Sequence, residues 1–200
     1  MLLAKSYESF LNMLYDRYGG DERIVCLLFV DPFNEDEMGR YITRRFEYLH
    51  ERSGKYIDFF CAGYNHKDHM RRFNAKDYVE FINQLEELTT WRYYGGTSLL
   101  LLRYSDYNLQ FDSVYDLNFT RMLIEGVIKD YRYFLEEIIF SLKKDIEEYL
   151  GAEHDKAQLK SIWKNFSELL PNFARRFVNQ IIDTRKINKY FSPQDISRNL

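Results

Sequence analysis

Ile24–Val30 reads IVCLLFV, seven apolar residues without a polar interruption, set between Arg23 and Asp31-Pro32. No alternation is present, so a strand built from them would be buried on both faces, as in a parallel sheet. Pro32 cannot donate to a ladder and closes the strand. A second run of this kind, YIDFFCAG, occupies 56–63. Between the two, 35–52 carries Met38, Ile42, Phe46 and Leu49 at helical spacing. Asn34 suits the N-cap, and Glu35, Asp36 and Glu37 fall in a first turn where the helix dipole favours negative charge. Strand, helix and strand make a right-handed βαβ crossover, which sets the class as α/β.

Upstream, Leu3, Tyr7, Phe10, Leu11 and Leu14 predict an opening helix that Gly19-Gly20 ends. Downstream, YNHKDHMRRFN reads as a long polar loop, and a helix resumes near Ala75 with Tyr78, Phe81, Ile82, Leu85 and Leu88 on one side. Gly95-Gly96 introduces a strand, SLLLLRY, over 98–104. After the turn residues Asp106-Tyr107-Asn108, the series Leu109, Phe111, Ser113, Tyr115, Leu117 and Phe119 alternates onto one face. These two strands predict an antiparallel hairpin with one face open to water. A long helix is expected over 120–150, tolerating Gly126 inside it, and further helical pattern runs from Lys156 through Trp163 and Phe177, with Pro171 as a kink or a new start.

The expected architecture is a small mixed sheet of about four strands, β-α-β then a β-hairpin, with helices on both faces. Residues 1–155 form the α/β body, and 156–200 a basic helical extension packed on it. This order of elements resembles that of the thioredoxin-like core, with helical additions at both ends. A thioredoxin-like oxidoreductase also carries Cys-x-x-Cys at a helix start and a proline before the third strand. Here Gly96-Thr97 takes the place of that proline, and no Cys-x-x-Cys occurs.

Composition narrows the class further. The 200 residues hold 28 Lys and Arg against 31 Asp and Glu, 46% apolar residues and only three Pro, which argues against a disordered or collagen-like chain. Two cysteines make no disulfide framework. Charges mixed into the first twenty residues, and the lack of any long apolar stretch, point to a cytoplasmic protein without a membrane span. Compactness without targeting signals suggests a bacterial one.

Chemistry has few candidates. Cys26 and Cys61 fall inside buried strands, where a thiol is inert. His66 and His69 flank Asp68 and are weak metal-ligand candidates, since His-x-x-His is tight for a loop site. In open α/β sheets ligands bind beyond the carboxyl ends of the strands. If the chain is an enzyme acting on a nucleotide-like or other small substrate, that edge would use Asp31 and Glu35 as acid or base and His66 as a proton shuttle. Phosphate-loop, dinucleotide and nucleophile-elbow patterns are missing, so no cofactor is expected.

Two features point instead to binding. From 156 onward there are nine basic residues and three acids, while 1–155 hold 19 basic and 28 acidic. Arg175, Arg176, Arg185, Lys186 and Lys189 are the candidate binding residues. They could contact nucleic-acid phosphates, an acidic partner or the chain's own acidic body. The 17 Tyr, 16 Phe and 2 Trp exceed what so small a core should hide, making Tyr93, Tyr94, Tyr104, Tyr107, Tyr131, Tyr133 and Phe191 candidates for an exposed aromatic surface. The expectation is a non-catalytic interaction module, an accessory subunit of a cytosolic bacterial complex or a homo-oligomer.

Overall fold

The computed structural model describes residues 2–30, 37–53, 57–67, 70–130, 132, 134–140, 143 and 184–198. Their elements run β1 (Leu2–Ala4), α1 (Tyr7–Tyr18), β2 (Arg23–Phe29), α2 (Glu37–Arg44), α3 (Phe46–Ser53), β3 (Ile57–Ala62), β4 (Tyr64–Lys67), β5 (Met70–Phe73), α4 (Ala75–Leu88), β6 (Ser98–Ser105), β7 (Asn108–Asn118), α5 (Phe119–Ile124), α6 (134–140) and α7 (Thr184–Ile187). The main sheet has the order β1-β3-β2-β6-β7. β1, β3 and β2 are mutually parallel, β6 is antiparallel to β2, and β7 is antiparallel to β6. The mixed α/β class and the parallel β-α-β unit hold, but the main sheet has five strands where four were expected.

The added strand is β1. Ser6 accepts from Ser9 N–H, and Ser9 reciprocates to Ser6 N–H, a capping box that starts α1 at Tyr7 rather than Leu3. The residues before the cap are left extended and pair with β3, Leu2 opposite Phe60 and Ala4 opposite Ala62. The helix expected over 35–52 is two helices broken at Arg45. The polar loop holds a second, two-stranded sheet, β4 with β5. Its anchor is a cross-strand aromatic pair, Tyr64 opposite Phe73 with ring centroids 5.2 Å apart. The charged residues between the two hid that alternation.

β7 breaks its own alternation. From Leu101 to Arg103, β6 advances two residues while β7 covers five, from Tyr115 to Gln110. The odd excess turns the strand over. Leu109 and Phe111 therefore pack with one core, and Tyr115 and Leu117 with the other, instead of sharing a face.

The helix expected over 120–150 stops at Ile124. Gly126 adopts φ +64°, its N–H reaches Leu123 O at 3.0 Å, and Val127 N–H reaches Met122 O at 2.8 Å. This is the Schellman closure, so Gly126 ends a helix rather than being tolerated inside one. Helical turns resume at 134–140.

Helices cover both sheet faces, as expected. On one, Cys26, Leu28, Leu99, Leu101 and Leu117 meet Ile42 of α2, Leu49 of α3 and Phe134, Leu135 and Ile138 of the 130–140 region. On the other, Val25, Leu27, Phe29 and Leu100 meet Phe10 and Leu14 of α1 and Tyr78, Phe81 and Leu85 of α4. The second core absorbs much of the aromatic content: Phe10 meets Phe60 edge-on at 5.0 Å, and Phe29 contacts Phe81, Trp91 and Tyr93. Tyr104 and Phe191 are buried, contrary to expectation, Tyr93 is half-buried, and Tyr131 and Tyr133 lie outside the described residues. Tyr94 and Tyr107 are exposed.

The last described stretch, 184–198, is strapped across the sheet's end. Val114 and Gln194 exchange two backbone hydrogen bonds at 2.8 Å, and Thr90 N–H donates to Ile196 O. Ile187, Tyr190 and Phe191 enter the first core and Ile196 the second. Residues 156–183 of the expected extension lie outside the described residues. No helix among the described residues is long and apolar enough to cross a membrane.

Candidate functional site

Phe29, Ser98 and Asn118 stand side by side across β2, β6 and β7. Because β7 runs parallel to β2, this row marks the carboxyl edge where an α/β sheet binds ligands. Asp31 and Glu35, which follow β2, lie outside the described residues, as do His69, Arg175 and Arg176. The backbones of His66 in β4 and Arg185 in α7 are described, but not their side chains. Among the described residues no three His, Cys, Asp or Glu side chains gather as metal ligands. Cys26 and Cys61 are buried free thiols on one sheet face, and burial pushes both thiols up, away from the reactive thiolate.

The carboxyl edge is built around the turn before β6. Gly96 sits at φ +75°, and a Cβ there would stand 2.3 Å from Thr120 Oγ1. That same oxygen accepts from Thr97 N–H at 2.8 Å. Tyr93 donates its hydroxyl hydrogen to Gly96 O, and Asn118, the N-cap of α5, donates to Gly95 O. The turn is thus held from both sides.

Beside it opens a cleft of about 280 Å³, lined by Tyr94, Asp116, Asn118, Arg121, Lys189, Tyr190 and Gln194. Asp116 is its chemical centre. Oδ2 accepts from Trp91 Nε1–H at 3.0 Å, while Oδ1 is buried without a hydrogen-bond partner among the described residues. Burial raises its pKa to about 6 against the opposing pull of the Trp91 hydrogen bond and the Arg121 charge. Next to it Glu125 is lowered to about 2 by Lys189 first, then by Arg121 and Tyr190. Asp116 and Glu125 are therefore set on opposite sides of the usual carboxylate range. Asp116 can take or give a proton near pH 6, and Arg121 and Lys189 can face an anion.

Two of the expected binding lysines are found here. Lys189 pairs with the Glu125 carboxylate, and Lys186 Nζ reaches Glu125 O at 3.3 Å. These two lysines face the chain's own body. Asp116, Arg121 and Tyr190 escaped the sequence reading because Asp116 falls on the hairpin face expected to be open to water. Its burial comes from the β7 register change and from the strap, neither of which has a local sequence signal. Set against known proteins, the chain matches no family model, no curated protein and no solved structure.

Proposed function

We propose that the chain is a non-catalytic protein-interaction module, an accessory subunit built on a thioredoxin-like arrangement. Support for the scaffold comes from the order β3-β2-β6-β7 with β6 antiparallel, extended at the β3 edge by β1. One observation carries the functional reading. Tyr107 is a tyrosine at φ +66° in the β6–β7 turn, following Asp106 at φ +52°. Glycine or asparagine is the usual occupant of such a position, and a bulky residue there is strained by about 1–2 kcal/mol.

That strain supports a surface feature. The Tyr107 ring lies over Gly20, with 3.0 Å to a Cβ built there, and against Tyr15 at 5.6 Å. Tyr15 and Tyr107 are 60% and 59% exposed, and Leu11 stands one turn before Tyr15 on α1. Exposed tyrosines held rigidly suit a protein interface, since little side-chain entropy remains to be lost. Glu8, Asp16 and Asp106 are exposed around them, so the complementary partner presents an apolar patch with a basic rim. A photo-reactive phenylalanine analogue at 107 should give one discrete cross-linked species in cells, and the same analogue at exposed Val79 on α4 should not. Equal labelling at both positions, or none at 107, overturns the reading.

Asp116 favours a second reading, an enzyme using the carboxyl-edge cleft on a small anionic substrate. Turnover with an inflection near pH 6 that Asp116→Asn abolishes would establish it over the first.

A further inference from the structure

A second cleft, of about 470 Å³, is lined by Arg40, Tyr41, Arg44, Arg45 and Arg132 and shares no residue with the cleft around Asp116. Arg40, Tyr41 and Arg44 belong to α2, Arg45 to the break before α3, and Arg132 to the chain leading into α6. We propose that these four arginines form a binding site for a small molecule carrying two or three linked phosphates.

The cleft is assembled from distant parts of the sequence. Arg45 Nη1 donates to Glu136 Oε1 at 2.9 Å, and its guanidinium stacks 4.7 Å from the Tyr41 ring centroid and 5.7 Å from that of Tyr48. Tyr41 Oη also donates to Glu136. Asp130 holds Arg132 by a fork, Nη2 to Oδ2 at 2.6 Å and Nε to Oδ1 at 3.1 Å. Both arginines are about half exposed, so each is oriented by its acid while the opposite side of the guanidinium meets solvent. Arg40 and Arg44 add two cations a helical turn apart on α2.

A cation in the last turn of α2 is favourable to the helix by itself, which accounts for Arg44. It does not account for Arg132 coming to the same cleft from the segment before α6. Several guanidinium groups lining one concavity can contact the oxygens of one anion together. Guanidinium planes match phosphate oxygens two at a time, whereas lysines act as point charges, and among the described residues the cations lining this cleft are all arginines. Its volume suits a small ligand rather than the long basic stripe that tracks a polynucleotide.

Calorimetric titration of the full chain with inorganic tripolyphosphate, and in parallel with a nucleoside triphosphate and a short single-stranded oligonucleotide, tests this. Tripolyphosphate should bind at one site, more weakly as salt rises. Arg44→Gln and Arg132→Gln should each weaken it by about tenfold, and Lys76→Gln, on α4 outside the cleft, should leave it unchanged. Equal affinity for the inorganic and nucleoside forms marks a site that reads the phosphate chain alone, and tighter nucleoside binding, still lost in Arg44→Gln, marks one that reads the rest of the molecule too. Either supports the site. No saturable heat at millimolar tripolyphosphate, equal weakening by Lys76→Gln, or a marked preference for the oligonucleotide overturns it. Unfolding midpoints of the variants should match that of the parent, and hydrogen exchange on a double Arg44→Gln, Arg40→Gln variant should show the native pattern.

Discussion

The indole Nε1–H of Trp91 donates to Asp116 Oδ2 at 3.0 Å, joining the segment after α4 to the C-terminal end of β7. Trp91 is buried against Phe29, so the bond draws a carboxylate toward an apolar core. The result is an acid that costs the fold something when ionised.

Asp116 holds its proton up to about pH 6 when folded, against an ordinary value of 3.8. Between those values the native state binds more protons than the unfolded chain, so its contribution to stability falls as pH rises through 6. Asp116→Asn keeps an oxygen for Trp91 and removes the charge. It should stabilise the protein by about 1–2 kcal/mol at pH 7.5, with the gain vanishing near pH 4. Denaturant titrations across that range check this, and a pH-independent difference would remove the burial argument.

Gly95 and Gly96 separate two costs that usually come together. Both have positive φ, but a Cβ at Gly95 meets nothing within 4 Å, whereas one at Gly96 meets Thr120 at 2.3 Å. Gly95→Ala should cost about 1 kcal/mol, from backbone strain alone. Gly96→Ala should cost about 2–4 kcal/mol, because Thr120 is also fixed by Thr97 N–H. Comparable melting temperatures for the two variants would contradict the packing described at the carboxyl edge.

The parts legible in the sequence were those whose signal is local. IVCLLFV and YIDFFCAG became β2 and β3, parallel and buried on both faces, because burial on two sides leaves an unbroken apolar run. The β6–β7 hairpin was announced by its turn residues. What escaped depended on partners far away. Three residues sufficed for β1 because the exposed edge of β3 was there to pair with them. The turnover in β7 needed β6 on one side and Gln194 on the other, so alternation counted along one strand misplaced half of it. Gly126 reads the same inside a helix or just past one, and only the two reversed hydrogen bonds tell which. Asp116, Tyr190 and the arginine cleft are convergences of this second kind.

Tyr107→Gly distinguishes a structural tyrosine from one kept for docking. Glycine relieves the left-handed strain, while loss of the ring removes its packing on Gly20 and Tyr15. These effects oppose, so stability should change by less than about 1 kcal/mol. Binding to the partner identified by cross-linking should weaken by at least about tenfold, as for an aromatic hot spot. A variant that binds normally would return Tyr107 to the status of an ordinary turn residue.

The C-terminal strap should be held by its apolar anchors and not by its charges. Phe191 is 4% exposed, edge-on to Phe134 at 6.1 Å, and Ile196 is 4% exposed in the opposite core. Phe191→Ala should cost about 3–4 kcal/mol and Ile196→Ala about 2–4 kcal/mol. The Lys189–Glu125 pair lies at the surface, its lysine side chain 48% exposed, so Lys189→Ala should change stability by less than about 1 kcal/mol. Hydrogen exchange gives the sharper reading. The amides of Val114 and Gln194 bond to each other's carbonyls across the strap, so both should lose protection together in Phe191→Ala and keep it in Lys189→Ala. If Lys189→Ala opens the strap as widely, the charge pair and not the core clamps the chain end, and the basic residues of this segment have a structural duty that leaves them poorly placed to meet a polyanion.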